Sequence, residues 1–202
     1  MIRFLRKDRG QAFPIYVMMV AGLLFLALAF FAVGKASALR NGSQGAADAA
    51  ALAAAQQART NFGPGFYASL PGNLLDAFLV KPFVAPCSEA QRLASANDAD
   101  KQLCYPTPGY LRDRITVEVK GRKPVDSPVL PGSKNKRAKA KATALIEFRC
   151  PNPKAVDFNS DGVQDLFIFT CRNGKILEIA PGSPPPWESV SRTLFDVRLV
   201  DQ

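Results

Sequence analysis

Oxygen-bearing side chains alternate along residues 157–165, where the sequence DFNSDGVQD follows the pattern D-x-N-x-D-G-x-x-D. Oxygen ligands at alternate positions fold around a hard cation such as Ca²⁺, and Gly162 permits the sharp turn between them. The pattern therefore predicts a calcium loop. Its ligands would be the side chains of Asp157, Asn159, Asp161 and Asp165 and the main-chain carbonyl of Val163.

This loop departs from an EF-hand, because its twelfth position is Ile168 rather than a bidentate glutamate and no helix pattern follows. It resembles instead the calcium loops of dockerins and FG-GAP repeats, in which the motif leads into a strand. The ion would be a structural clip and not a catalytic ion. A plain turn is the alternative, since Asp, Asn and Gly are also the residues of ordinary tight loops.

No catalytic constellation accompanies this loop. The chain has no histidine, which excludes Ser-His-Asp and Cys-His nucleophile systems and histidine zinc sites. The glycine-rich phosphate-binding motifs are absent as well. We therefore expect a protein that is not an enzyme and that holds no cofactor other than calcium.

A charge-free run covers residues 12–34, AFPIYVMMVAGLLFLALAFFAVG, which is 23 of the 202 residues. A helix of this length extends roughly 34 Å, enough to cross a hydrocarbon core of about 30 Å. The preceding residues 1–11 contain four basic side chains and one acidic side chain, and positive flanks stay cytoplasmic. The run predicts a single-pass protein of the cell membrane, N-in and C-out, with residues 1–11 as a cytoplasmic basic tail.

A cleaved secretory signal is the alternative, because Ala36 and Ala38 offer an A-x-A-like cleavage site. Its apolar region would be shorter, about 7–15 residues, so an uncleaved anchor is favoured. The net charge of +9 does not point to nucleic acid in a chain that leaves the cytoplasm. The membrane surface and acidic cell-wall polymers are the expected partners.

Four cysteines lie in the segment placed outside the cytoplasm, and an even number there predicts disulfides. Three connectivities are possible. Pairing of neighbours is favoured, because each pair then brackets one local loop: Cys87 with Cys104, and Cys150 with Cys171.

Residues 35–60 are so rich in alanine that the spanning helix is expected to continue outward to about Arg59. Arg40, Gln44 and Asp48 recur every four residues and form a polar stripe. Much of the remaining surface is small and apolar. Such a surface allows close approach either to the chain's own domain or to other helices, and the sequence leaves both open.

The remaining residues 61–202 are expected to form one extracytoplasmic α+β domain. Proline and glycine punctuate residues 61–86, which predicts mostly loop with a short helix near 74–80, and another short helix is predicted over 88–97 with Ser88 as its cap. Period-two alternation predicts strands at 115–119, 138–148, 166–170, 175–179 and 194–200, with a hairpin turn at Asn173 and Gly174. The expected fold is α+β: a long N-terminal transmembrane helix that continues outward and packs on a small antiparallel β-sheet domain.

The junction of anchor and outer helix carries a recognisable motif. The sequence DRGQ (residues 8–11) precedes the apolar run, and Q-x-A-A-D-A-A-A-L-A (residues 44–53) follows it. The motif residues are Gln44, Ala46, Ala47, Asp48, Ala49, Ala50, Ala51 and Leu52. This N-terminus resembles that of TadE/TadG-like proteins, the minor pilin-like group of tight-adherence (Flp-type) pilus assembly, in the form typical of high-GC Gram-positive bacteria.

The resemblance implies a pilin-like, bitopic protein that helps to assemble or anchor a thin adhesive pilus and contacts other pilus proteins through its N-terminal helix. Prepilins are cut after a glycine and carry glutamate at the fifth mature position, whereas counting from Gly10 that position is Ile15. Residence in the membrane is therefore favoured over incorporation into the filament. The alternative function is a surface-displayed binding module whose β domain is clipped by calcium.

Overall fold

The structure, a computed structural model, describes residues 12–126 and 132–201. Its helices are α1 (Ala12–Asn61), α2 (Gly63–Ser69), α3 (Leu75–Leu79), α4 (Cys87–Ala96) and α5 (Trp187–Leu194). Its strands are β1 (Ala99–Thr107), β2 (Arg112–Pro124), β3 (Arg137–Phe148), β4 (Lys154–Val156), β5 (Leu166–Thr170), β6 (Ile176–Ile179) and β7 (Phe195–Val200). The predicted α+β class, with one long helix ahead of a small antiparallel β domain, is confirmed.

Helix α1 is continuous over 50 residues, about 75 Å at 1.5 Å per residue. It runs through four glycines, each of which costs about 1 kcal/mol relative to alanine in a helix interior. Its two halves lie in different surroundings. The apolar side chains of the first half are exposed, whereas one side of residues 43–58 is buried against the rest of the chain. Packing of this outer half offsets the cost of the glycines there.

The main sheet has the strand order β1-β2-β3-β7, and every neighbouring pair is antiparallel. Alternation places one side chain in two against α1. On β2 these are Ile115, Val117 and Val119, and their partners across the ladder on β3 are Ala144, Ala142 and Ala140. The alternating pattern of β2 and β3 therefore builds the surface on which the outer half of α1 lies.

Small residues let the helix lie close to this sheet. A Cβ added at Gly121 of β2 would come within 2.7 Å of the Ser43 hydroxyl on α1. Alanines face the same interface from both sides, for example Ala47 on α1 and Ala142 on β3, and both are buried. Small residues on both α1 and the main sheet therefore allow the two backbones to approach closely.

A second sheet, with order β4-β5-β6, lies between β3 and β7 in the sequence. Its β5–β6 hairpin turns at Asn173 and Gly174 as predicted, and only Gly174 adopts a positive φ, of 77°. The amide of Gly174 donates to the carbonyl of Cys171 at 2.9 Å. Phe167 and Phe169 of β5 are fully buried in the core, where the ring of Phe169 lies 5.9 Å from that of Phe66 in α2.

Several local predictions differ from the structure. Residues 61–86 contain two short helices rather than one, because α2 forms directly after α1. Helix α4 begins at Cys87 with Pro86 at the N-cap position, so Ser88 lies inside the helix and is not its cap. Strands β1 and β4 and helix α5 were not foreseen.

Candidate functional site

The motif segment of α1 is bound to the chain's own domain. Ala46, Ala47, Ala50 and Ala51 have no exposed surface. The same buried face continues through Ala54, Ala55 and Ala58 and packs on β2, β3 and α4. Of the two possibilities that the sequence left open for this small-residue face, the structure shows packing against the chain's own domain. The partly buried Ala49 and Leu52 lie beside that face.

The polar residues of the motif connect α1 to the edge of the main sheet. The side-chain amide of Gln44 donates to Asp48 Oδ1 at 2.9 Å and to the main-chain carbonyl of Lys141 at 3.2 Å. Strand β7 ends at Val200, opposite Thr143, so the first half of β3 has a strand partner only on its β2 side within the described residues. Gln44 thus satisfies a carbonyl at an otherwise open strand edge.

An open polar groove follows this edge between α1 and β3. It has a volume of about 880 Å³, and its charged lining includes Arg40, Asp48, Lys139 and Lys141. Arg40, Gln44 and Asp48, predicted as a polar stripe, all line it. The lysines of β3 lie on the exposed face of the strand, as expected from its alternation.

The first half of α1 presents a bare apolar surface. Phe13, Leu24 and Phe31 are 75%, 61% and 71% exposed, and the side chains between them are exposed in the same way on all sides of the helix. Within the described residues, this is the one helix long and apolar enough to cross a membrane. A surface of this kind requires an apolar environment, either lipid or the helices of other proteins.

An aromatic cluster holds the outer end of α1. The indole Nε1 of Trp187 donates to the carbonyl of Arg59 at 3.0 Å, and its ring lies 5.2 Å from that of Phe66. A Cβ at Gly63 would lie 2.8 Å from the indole ring, so glycine is required there for the ring to cover the helix end. The domain thereby grips α1 at Arg59 as well as along its alanine face.

Two disulfides further stabilise the domain that holds α1. Cys87 pairs with Cys104, which joins the start of α4 to β1, and Cys150 pairs with Cys171, which joins the end of β3 to the β5–β6 hairpin. All four cysteines are used, in the neighbour pairing that the spacing favours. Because α4 packs on α1, the first disulfide ties the helical layer to the edge of the main sheet.

Glu147 is a buried carboxylate at the junction of the two sheets. It is 6% exposed and accepts hydrogen bonds from Arg112 Nε at 3.0 Å, from an Arg172 terminal nitrogen at 2.8 Å and from an Arg198 terminal nitrogen at 2.7 Å. The hydrogen bond from Arg198, followed by that from Arg112, lowers the pKa of Glu147 below its usual value of 4.5 in spite of its burial. The cluster joins β2, β3, β7 and the hairpin, which is a structural role.

Asp113 of β2 lines a small apolar cavity of about 100 Å³ together with residues of α3, of β7 and of the junction between α1 and α2. Burial raises its pKa to about 6, while a hydrogen bond from the Gly109 amide at 3.1 Å acts in the opposite direction. Its neighbours in the cavity are mainly aromatic, including Phe62 and Phe83. Lys81 also lines the cavity, and the remaining lining residues are apolar.

The predicted calcium loop is closed by its own hydrogen bonds. Asp157 accepts from the amides of Ser160 at 2.6 Å and Gly162 at 2.9 Å, and these bonds lower its pKa. Asp161 accepts from the amide of Val163 at 2.8 Å and from the side-chain amide of Asn159 at 2.9 Å.

Asp165 joins this network by accepting from the Phe158 amide at 2.8 Å. Across the described residues no three acidic, histidine or cysteine side chains converge as a metal cluster would. The donor set is chemically suited to Ca²⁺, but in this geometry the carboxylates serve the turn. Calcium binding therefore stays a prediction.

Two residues with structural roles, Trp187 at the end of α1 and Glu147 between the sheets, were not singled out from the sequence. Trp187 follows three prolines, and with Val190 and Leu194 it marks an amphipathic helical pattern that signals α5. Glu147 carries no local signal, because its burial depends on arginines that lie 25 to 51 residues away in the chain. Gly10 and the DRGQ sequence before the apolar run lie outside the described residues.

Comparison with protein families gives one match. Residues 10–57 match the family model described as "Putative Flp pilus-assembly TadE/G-like". Neither the curated proteins nor the solved structures gave a significant match to the chain. The matched residues coincide with most of α1, from the apolar run through the buried alanine face, whereas residues 58–202 lie outside the match.

Proposed function

We propose that this protein is a membrane-anchored assembly or minor pilin-like component of a tight-adherence pilus, because its residues 10–57 match the TadE/G-like Flp pilus-assembly model. Residues 12–34 would span the membrane once, with the N-terminus inside and residues 35–202 outside. The protein would act by contact and not by catalysis.

The division of α1 into two halves is the observation that carries this proposal. The outer half is gripped by the alanine interface and Trp187, so the domain and the anchor form one body. Most of the inner half, from Phe13 to Phe31, is exposed within the described residues. A protein built in this way can transmit the position of a membrane helix directly to a domain outside.

Contacts with other pilus proteins are then expected along the inner half of α1. The alanine face of residues 46–58 is already buried and offers no surface to another helix. In the inner half, Ala21 and Gly22 supply small residues, and a Cβ at Gly22 would meet no atom within 4 Å. Small residues of this kind allow membrane helices to approach closely.

We also propose that the protein stays in the membrane rather than entering the filament. The fifth position after Gly10 is Ile15, where prepilins carry glutamate. Mass spectrometry of the N-terminus tests this directly, because an uncleaved chain begins before Gly10 and a processed chain begins at Gln11.

Site-specific photo-cross-linking in cells tests the proposed role. A photoreactive residue at Leu24, which is 61% exposed, should form adducts with other pilus-assembly proteins in the membrane. The same residue at Lys175, an exposed position of the outer domain, should form none and serves as the control. Adducts with lipid alone at Leu24 and at other positions of the inner half would contradict the assembly role and favour the free-standing binding module.

A further inference from the structure

Cations surround the end of the β2–β3 hairpin, where the hairpin meets α1 just beyond the apolar run. We define the membrane-proximal basic patch as Lys35, Lys123, Lys134, Lys136 and Arg137. All except Lys35 are exposed, and Lys35 is partly exposed. The patch combines Lys35 of the helix with Lys123 of β2, Arg137 of β3 and two lysines just before β3.

Contacts with α1 fix the position of the patch along the helix axis, and therefore its distance from the apolar run. Lys35 Nζ donates to the main-chain carbonyl of Asp126 at 3.0 Å, which ties the hairpin to the first charged residue after the apolar run. Ala32 is only 3% exposed, whereas the neighbouring Phe31 and Val33 are 71% and 65% exposed. The rest of the chain therefore covers one side of α1 down to its last apolar turn.

The other cations of the patch lie at nearly the same level along the helix axis as Lys35. The amide of Val125 donates to the carbonyl of Lys136 at 2.9 Å, and Pro124 is the ladder partner of Arg137. At about 3.3 Å per strand residue, Lys123, Lys136 and Arg137 lie within about 10 Å of Asp126 along the hairpin. The headgroup layer on one side of a bilayer is roughly 5–7 Å thick. Long lysine and arginine side chains cover the remaining distance.

Most of the charge of the patch is uncompensated. Lys134, Lys136 and Arg137 form no salt bridge with any residue that the structure describes. Lys123 is paired with Asp98 at 2.6 Å. Exposed cations at the edge of an anchored domain attract the nearest dense layer of anions, and for a spanning helix this layer is the lipid surface.

We propose that the membrane-proximal basic patch binds the phosphate groups of anionic phospholipids in the leaflet that faces the outer domain. This inference rests on the proposed membrane anchoring. Binding holds Pro124 of β2 and Arg137 of β3 near the bilayer surface and fixes the tilt of the domain relative to the membrane, because α1 and the domain are one body.

Lipid selectivity of the full chain in nanodiscs tests the proposal. Electron spin resonance with spin-labelled phosphatidylglycerol or phosphatidylcholine separates lipid held at the protein from lipid in the bulk bilayer. Each cation near an anionic surface contributes about fivefold to the association. The variant Lys134→Gln/Lys136→Gln/Arg137→Gln should therefore lower the preference for phosphatidylglycerol by about fivefold at the lipid sites that these cations form. Salt near 1 M should do the same, since the Debye length is then about 3 Å.

The matched control is Lys81→Gln/Lys154→Gln/Lys175→Gln, which removes three exposed cations that do not belong to the membrane-proximal basic patch. It should leave the preference unchanged. The basic N-terminal tail attracts anionic lipid at the opposite surface, so the readout is the difference between the two variants. Unchanged Trp187 emission shows that each variant is folded.

Equal selectivity in both variants would overturn the lipid assignment while leaving the anchoring intact. Tight binding of soluble inorganic polyphosphate by chains in phosphatidylcholine nanodiscs, lost in the patch variant, would assign the patch to a soluble or wall-bound polyanion and also overturn it. A chain that does not insert into nanodiscs at all would refute the proposed function instead.

Discussion

Replacing Ala50 by leucine tests whether the alanine face of α1 is a close-packed interface. Ala50 has no exposed surface and lies in the middle of a row of buried alanines that pack on β2, β3 and α4. Leucine adds three carbon atoms where both the helix and the sheet approach closely. Overpacking of this kind costs about 1–3 kcal/mol, and the fully enclosed position places Ala50→Leu at the upper end.

A loss of about 3 kcal/mol in the free energy of unfolding lowers Tm by roughly 6–12 °C for a domain of this size. Trp187, the one tryptophan of the chain, reports the transition through its fluorescence, because its ring is packed on the aromatic cluster at the end of α1. The measurement uses the full chain in detergent micelles. It follows the emission maximum with temperature at one scan rate.

Ala38→Leu is the matched control, since Ala38 is exposed on the same helix. Exposed substitutions of this kind change stability by about 0.5 kcal/mol or less, so its Tm should move by no more than about 2 °C. An Ala50→Leu chain with the Tm of the unchanged protein would refute the packing of α1 on its own domain. The alanine face would then be free for other helices.

Three further predictions concern carboxylates. Glu147→Gln should destabilise the protein by about 2 kcal/mol at neutral pH, since it removes charge-assisted hydrogen bonds. Because the pKa of Glu147 in the folded state lies below the usual 4.5, denaturant unfolding should show this stability difference above pH 4.5, and the difference should disappear as the pH falls further. Asp113→Asn should raise Tm at neutral pH but not below pH 3.8, because a pKa of about 6 in the folded state makes the ionised carboxyl unfavourable there. An equal change in Tm at neutral pH and below pH 3.8 would contradict the raised pKa. Calcium titrated into the full chain should give binding heat that Asp157→Asn abolishes and Asp76→Asn preserves; no heat in the unchanged protein would leave the loop as a plain turn.

The long helix could be predicted because its causes are local. A charge-free run of the length of a bilayer and an alanine-rich continuation both specify helix without reference to the rest of the chain. What the sequence could not decide was the partner of the alanine face. That depends on the alternation of β2 and β3 and on Gly121, which lies about 80 residues after Ser43 in the chain.

Strands β1 and β4 were missed for a related reason. Strand β1 contains Pro106, has an irregular register between Lys101 and Leu103, and shows no clear period of two in its burial. It is an edge strand that exists because β2 offers it a ladder, and its own residues favour no particular structure. Edge strands of this kind become visible only once their neighbour is known.

The candidate site was foreseen in part. Gln44 and Asp48 were identified as polar motif residues, but the hydrogen bond from Gln44 to the Lys141 carbonyl requires the end of β7 to be known. The burial of Glu147 is still harder to predict from the sequence. Alternation places it on the face of β3 away from α1, and only the arginines of three other segments bury it there.

Protease treatment of intact cells that express the chain with one tag before Met1 and another after Gln202 tests the central claim most directly. The account predicts that the tag after Gln202 is removed while the tag before Met1 is protected and remains with the washed membranes. Protection of both tags, or recovery of the chain as a soluble species free of membrane, would contradict a single anchor that holds the disulfide-bonded domain outside.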